Sequence, residues 1–158
     1  MNKLKLYLET SVWNFYYADE APEKQAITRQ FFHSLPNDKL ELYISEVVLD
    51  EIDGASAQKK IQLLQLINTH QPRSLMLNTA VQELANAYLA HKLLPPQADY
   101  DAQHIAVATV HQLDVIVSWN LRHIANIHRQ QRVQTFNQAN GYPNLLQMIT
   151  PIEVTYDE

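Results

Sequence analysis

Four short stretches carry the side chains best suited to chemistry. They are Tyr7-Leu8-Glu9-Thr10-Ser11-Val12, Ile44-Ser45-Glu46-Val47-Val48-Leu49-Asp50-Glu51-Ile52, Asp101-Ala102-Gln103-His104-Ile105-Ala106 and Ile116-Val117-Ser118-Trp119-Asn120-Leu121-Arg122-His123. Glu9, Glu51 and Asp101 offer carboxylate oxygens, the ligand type that hard divalent cations prefer. Asn120 offers an amide oxygen. Each also has an ordinary structural reading: Glu9 favours a helix N-terminus, Asp101 is a first-turn charge, and Asn120 is an N-cap. Spacing alone does not choose, because a chain with 17 acidic residues always has a few near element ends.

The surrounding pattern says how these residues are positioned. Leu4 to Leu8 reads as a strand, followed by Thr10 or Ser11 as the cap of a helix through Trp13 and Tyr16. A helix is expected over Pro22–Leu35, a turn at Pro36-Asn37-Asp38, and a strand over Leu40–Ile44. Ser45 then caps a helix through Ile52 that Gly54 closes, and Ala57–Thr69 forms the next helix. Leu75–Leu77 reads as a short strand, and Asn78 or Thr79 starts a helix with Val81, Leu84, Ala85, Tyr88 and Leu89 on one face. Asp101–Gln112 is expected as helix after Pro95-Pro96. Val115–Trp119 reads as a strand apolar enough to be buried on both faces. Alternating strands and helices imply a mostly parallel sheet with helices on both sides. Functional groups in such sheets gather beyond the carboxyl ends of the strands. Glu9 and Asn120 each follow a strand directly. A helix of about twelve residues rises roughly 18 Å and the strand after it returns about as far, so Asp101 and Asn120 should be neighbours.

Composition bounds the rest. At 158 residues one domain spanning 1–158 is expected, and roughly 70% of the unfolded chain's surface can be buried. The chain has no cysteine, so disulfide and thiolate chemistry are excluded. Its two glycines, Gly54 and Gly141, are too few and too far apart for a dinucleotide fingerprint or a phosphate loop. That also disfavours a flavodoxin-like nucleotide binder. A net charge of −5 argues against coating nucleic acid by charge alone, although a bound cation supplies local positive charge. No apolar run approaches a membrane span, and the N-terminus through Glu9 does not read as a signal peptide. The expectation is a cytoplasmic protein with no membrane contact.

Taken in order, the four stretches resemble the PIN-domain family, which includes ribonuclease toxins of VapC type. That family begins with a strand ending in Asp-Thr-Ser, where this chain has Glu9-Thr10-Ser11. Its second acid lies on a helix after a strand and a Ser, the place of Glu51. Its third opens an Asp-Ala-x-His-Ile-Ala helix, reproduced by Asp101 to Ala106. Its fourth is usually Asp after a buried strand, where this chain has Ser118-Trp119-Asn120. The Ser-Trp-Asn-x-x-His form, Gly141-Tyr142-Pro143 and Thr150-Pro151-x-Glu153 look like one branch of the family.

The resemblance implies a three-layer α/β/α domain whose acidic pocket binds Mg²⁺ or Mn²⁺ and hydrolyses RNA. Glu9, Glu51, Asp101 and Asn120 would be its catalytic positions, the three acids its metal ligands, and Ser11 and Ser118 their hydrogen-bonding supports. It also implies a toxin paired with a small antitoxin, and a homodimer. Glu9 in place of Asp extends the carboxylate by one C–C bond, about 1.5 Å. Asn120 removes one charge, which favours a single cation over a two-metal site. Both departures also support a competing reading, a PIN-fold RNA- or protein-binding module that has lost catalysis.

Other residues carry paired readings. The seven histidines include His123 with His128 and His104 with His111, but neither spacing matches a helical zinc pair. His104 is expected as a pocket wall or a hydrogen-bonded histidine. Arg122, Arg129 and Arg132 form the one notably basic stretch. Arg122 and Arg129, seven apart, would share a helix face that either holds an RNA backbone or is simply solvated. Trp13, Tyr16 and Tyr17 could form a base-stacking rim or a dimer seam, with core packing equally open for Trp13.

Overall fold

A computed structural model describes residues 3–155; residues 1–2 and 156–158 of the expected domain lie outside the described residues. Five strands form one sheet: β1 (Leu4–Leu8), β2 (Leu40–Ser45), β3 (Arg73–Leu75), β4 (Val115–Val117) and β5 (Gln147–Ile149). Every pairing is parallel, and the spatial order is β3-β2-β1-β4-β5. Leu6, Tyr7, Leu8, Ile116 and Val117 have no exposed surface, as expected of central parallel strands covered on both faces.

The helices are α1 (Thr10–Phe15), α2 (Pro22–His33), α3 (Glu46–Asp53), α4 (Ala57–His70), α5 (Thr79–Ala90), α6 (Asp99–Val110), α7 (Ile127–Ala139) and α8 (Pro151–Thr155). Ser45, Ser56, Asn78 and Asn126 start α3, α4, α5 and α7 with side chains that accept first-turn amides. α6 is buried nearly all round, including Ala102, His104, Ile105, Ala106, Val107 and Ala108. A polar cluster ties it to its neighbours: the Tyr88 hydroxyl donates to Asn137 Oδ1 at 2.5 Å, and Asn137 Nδ2 donates to Thr109 Oγ1 at 3.1 Å. Tyr88→Phe would leave a buried amide oxygen without that donor. It is expected to lower unfolding free energy by about 1–3 kcal/mol, measured by denaturant titration.

Four expectations are corrected by the structure. The cap of α1 is Glu9, not Thr10 or Ser11; its carboxylate accepts the Ser11 amide at 3.2 Å. β3 lies two residues earlier than expected, because the Leu77 amide is taken by the Glu46 carboxylate at 2.7 Å. β4 stops at Val117, since the Trp119 amide turns to Ser11 Oγ at 2.8 Å instead of continuing the ladder. α6 starts at Asp99, so Asp101 sits within its first turn.

From β1 the chain moves outward to β2 and β3, then returns through α5 and α6 to place β4 on the other side of β1. The order therefore reverses between β1 and β4. In open α/β sheets this is where a crevice forms beyond the strand ends. Glu9 and Ser118, each one residue past its strand, stand on the two sides of it.

Candidate active site

At the β1–β4 junction Glu9 is 5% exposed and divides the roles of its two carboxylate oxygens. Oε1 accepts from Ser11 Oγ at 2.5 Å, the Ser11 amide at 3.2 Å and Ser118 Oγ at 2.7 Å. Ser118 Oγ in turn accepts the Asn120 amide at 2.9 Å. Both serines therefore contact the first acid, tying the ends of β1 and β4 through its carboxylate. Oε2 lies 3.9 Å from His104 Nε2.

Glu51 reaches the same place from α3. Its Oε1 accepts from Thr10 Oγ1 at 2.6 Å and lies 2.5 Å from His104 Nε2. Burial raises the Glu51 carboxyl, but hydrogen bonds from His104 and Thr10 outweigh it and hold the group below its ordinary range. Behind His104 lies Tyr7, whose hydroxyl is 2.7 Å from His104 Nδ1 and 2.7 Å from Ser45 Oγ. Burial, partly offset by the Ser45 hydrogen bond and reinforced by Glu9 and Glu51, keeps this phenol well above its ordinary range and hence neutral. One ligand atom each from Glu9, Glu51 and His104 lies within 4.8 Å of the others.

Asp101 is turned to a different partner: its Oδ2 is 2.9 Å from His123 Nδ1, and both side chains are 18% exposed. Asn120 Oδ1 accepts the His123 amide at 2.9 Å. The expected closeness of Asp101 and Asn120 is thus realised through His123. The Asn120 oxygen serves first as a turn cap.

The donor set fits a hard divalent cation. Glu9 and Glu51 present carboxylate oxygens side by side, matching the one or two carboxylates that Mg²⁺ commonly takes. Both His104 nitrogens already face hydrogen-bond partners, so the oxygens are the donors to spare.

The basic stretch separates into different roles. Arg122 lies in the turn before α7, so it shares no helix face with Arg129, contrary to expectation; Asn126 is the residue that starts the helix. Arg129 donates to the Leu93 carbonyl and to the Arg122 carbonyl at 3.3 Å, bracing two loops. Burial, with repulsion from Arg132, lowers its pKa. Arg122 and Arg132 are exposed. Arg129→Ala is therefore expected to lower the thermal unfolding midpoint, and Arg132→Ala to leave it unchanged.

Trp13 forms no rim or seam: it is fully buried, donates Nε1–H to the Leu8 carbonyl at 3.2 Å and packs on Phe32. Tyr16 and Tyr17 are half-buried, with Arg29 over the Tyr16 ring and the Tyr17 hydroxyl on the Gln62 carbonyl. Sequence reasoning missed Tyr7. Its signal was a tyrosine between two leucines at the buried end of β1, where a buried hydroxyl needs a partner. It also missed the role of His123, whose carboxylate partner lies 22 residues away.

No family model matches this chain, and no curated protein matches it in sequence. Solved structures do. VapC20 of Mycobacterium tuberculosis, described as a sarcin-ricin-loop-cleaving toxin, matches with a TM-score of 0.58 and 14% identity, covering 87% of this chain and 95% of its own. VapBC-1 of nontypeable Haemophilus influenzae gives 0.55 and 14%, covering 82% and 94%. VapBC2 of Rickettsia felis, solved with a promoter DNA fragment, gives 0.52 and 13%, covering 75% and 90%. At these identities the likeness establishes the fold: a PIN-type α/β arrangement with an all-parallel central sheet.

Proposed function

We propose that the chain is a metal-dependent endoribonuclease, the toxin of a toxin–antitoxin pair, with a Mg²⁺ or Mn²⁺ ion held by Glu9, Glu51 and Asp101. The observation that carries this reading is the convergence of the Glu9 and Glu51 carboxylates at the strand-order reversal of a PIN-type fold. A bound cation there would supply positive charge against a phosphodiester and acidity to water. The chain's own residues prepare for it. Ser11 and Ser118 occupy one Glu9 oxygen and leave the other for the ion, and Thr10 and His104 do the same for Glu51. Asp101 holds His123 and stands outside the Glu9–Glu51–His104 group, so as the third carboxylate it would have to turn its free oxygen towards the ion. Asn120 contributes by fixing the turn that carries His123. Exposed Arg122 and Arg132 are the candidates for holding the RNA backbone.

The fold likeness to VapBC assemblies supports an antitoxin partner. A homodimer is part of the same proposal, resting on the sequence resemblance alone, and RNA cleavage would place the chain in the cytoplasm. Among the described residues no helix is long and apolar enough to cross a membrane. Light scattering at tens of micromolar, on the order of a Kd worth about −7 kcal/mol, tests the dimer. The function is tested with metal-stripped protein and a generic RNA. Cleavage that appears on adding Mn²⁺ supports the nuclease. RNA binding without cleavage, and without calorimetric Mn²⁺ uptake, supports the binding module.

A further inference from the structure

We propose that His104 is the positioning residue of the acidic site: its Nε2–H fixes the rotation of the Glu51 carboxylate, and Tyr7 and Ser45 fix which ring nitrogen carries that proton. For its effect on cation affinity the inference rests on the divalent-metal reading above.

The proximity of His104 to both carboxylates invites the opposite assignment, a nitrogen ligand completing the ion's shell. Hydrogen-bond direction decides between them. The Val47 amide donates to Ser45 Oγ at 3.1 Å and occupies a lone pair there. Oγ keeps a second lone pair, but among the described residues the Ser45 hydroxyl proton has no acceptor other than Tyr7 Oη, 2.7 Å away, which sets the direction. Tyr7 passes its own proton towards His104 Nδ1 at 2.7 Å, which must be bare to receive it. The ring proton is therefore on Nε2, where it meets Glu51 Oε1 at 2.5 Å. Run in reverse, the chain would press a bare Nε2 lone pair against a carboxylate oxygen at that distance. Two acceptors do not make such a contact.

Burial makes the arrangement single-valued. Tyr7, Ser45 and His104 have no exposed surface, so no water competes for any of these protons. Thr10 Oγ1 adds a second donor to the same Glu51 oxygen at 2.6 Å. With Oε1 pinned twice, the carboxylate cannot rotate freely, and Oε2 faces a fixed direction. A glutamate left free would lose rotamer freedom on every binding event; here that ordering is already done by the fold.

The test reads metal affinity, the ring proton and metal ligation separately. Calorimetric Mn²⁺ titration of His104→Leu is expected to show about ten- to a hundred-fold weaker binding. His104→Gln, whose amide N–H falls near the Nε2 position, should recover most of it. Tyr7→Phe keeps the ring packing but frees the tautomer, and is expected to weaken Mn²⁺ binding several-fold. Nitrogen-15 spectra of the metal-free native chain should show His104 with Nε2 protonated and Nδ1 bare, and of Tyr7→Phe a mixture. Electron spin-echo spectra of the Mn²⁺-loaded native chain should show no directly bound histidine nitrogen. A bound nitrogen that vanishes in His104→Gln overturns the proposal, as does a native Nδ1–H tautomer or equal Mn²⁺ affinity across all variants. If His104→Leu does not fold, His104→Gln and Tyr7→Phe decide. A native chain that takes up no Mn²⁺ overturns the metal reading and the affinity role together, whereas the metal-free spectra judge the hydrogen-bond assignment on their own.

Discussion

Replacing Glu51 by Gln is expected to lower Mn²⁺-dependent RNA cleavage by on the order of a hundred-fold or more, with the fold intact. The fold survives because glutamine keeps one carbonyl oxygen, and that oxygen can still accept from Thr10 and His104. What changes is the atom facing the cleft, from a charged acceptor to an NH₂ donor that repels a cation. Asp101→Asn is expected to behave alike, since its amide oxygen can keep the His123 contact. Cleavage assays on metal-treated protein, paired with thermal unfolding, check both halves. Wild-type cleavage by either variant would remove that acid from the site, and a large drop in melting temperature would assign it a structural role.

Glu9→Asp is expected to lose activity and stability together. The shorter side chain retracts its carboxylate by about 1.5 Å, drawing Oε1 away from Ser11 Oγ and Ser118 Oγ. Stranding two hydroxyls at a buried strand junction costs about 1–3 kcal/mol. The cleft-facing oxygen withdraws with them, so Mn²⁺ affinity should fall. Adding Asn120→Asp is not expected to rescue it. An aspartate there can accept the His123 amide as Asn120 does, so the new charge is spent on the same turn. Calorimetric Mn²⁺ titration of the single and double variants measures this. Strong new metal uptake and cleavage by the double variant, with none by the native chain, would mean that Glu9 and Asn120 are losses, favouring the binding module.

The elements that hold these acids were legible to different degrees. β1, α3 and α5 could be read directly: β1 from its leucines around Tyr7, α3 from its Ser45 cap, and α5 from its Asn78 cap and the helical spacing of its apolar residues. Strand ends were harder. The segment 115–119 reads as a five-residue strand with four apolar or aromatic members, yet Trp119 leaves the ladder because a serine 108 positions away captures its amide. No window around Trp119 contains that serine. β5 and α8 gave no usable signal: β5 has three residues, and its pairing with β4 is a tertiary choice. At the site, the placing of Glu9 and Asn120 past strand ends followed from arithmetic, and Asp101 was correctly expected near Asn120. The hydrogen-bond chain from Ser45 through Tyr7 and His104 to Glu51 was not foreseeable, since its members come from β1, β2, α3 and α6.

The pairing of β1 with β4 bears on the order in which the protein is made. Glu9 emerges from the ribosome early, but Ser118, its hydrogen-bond donor, follows 109 residues later. α6, which carries Asp101 and His104, lacks its sheet neighbour until β4 is synthesised. At about 5–20 residues per second, that separation corresponds to several seconds of translation or more. During that interval the growing chain holds β1, β2 and β3 without the strand that completes the junction. The acidic junction of this architecture therefore cannot be completed until Ser118 has left the ribosome's exit tunnel.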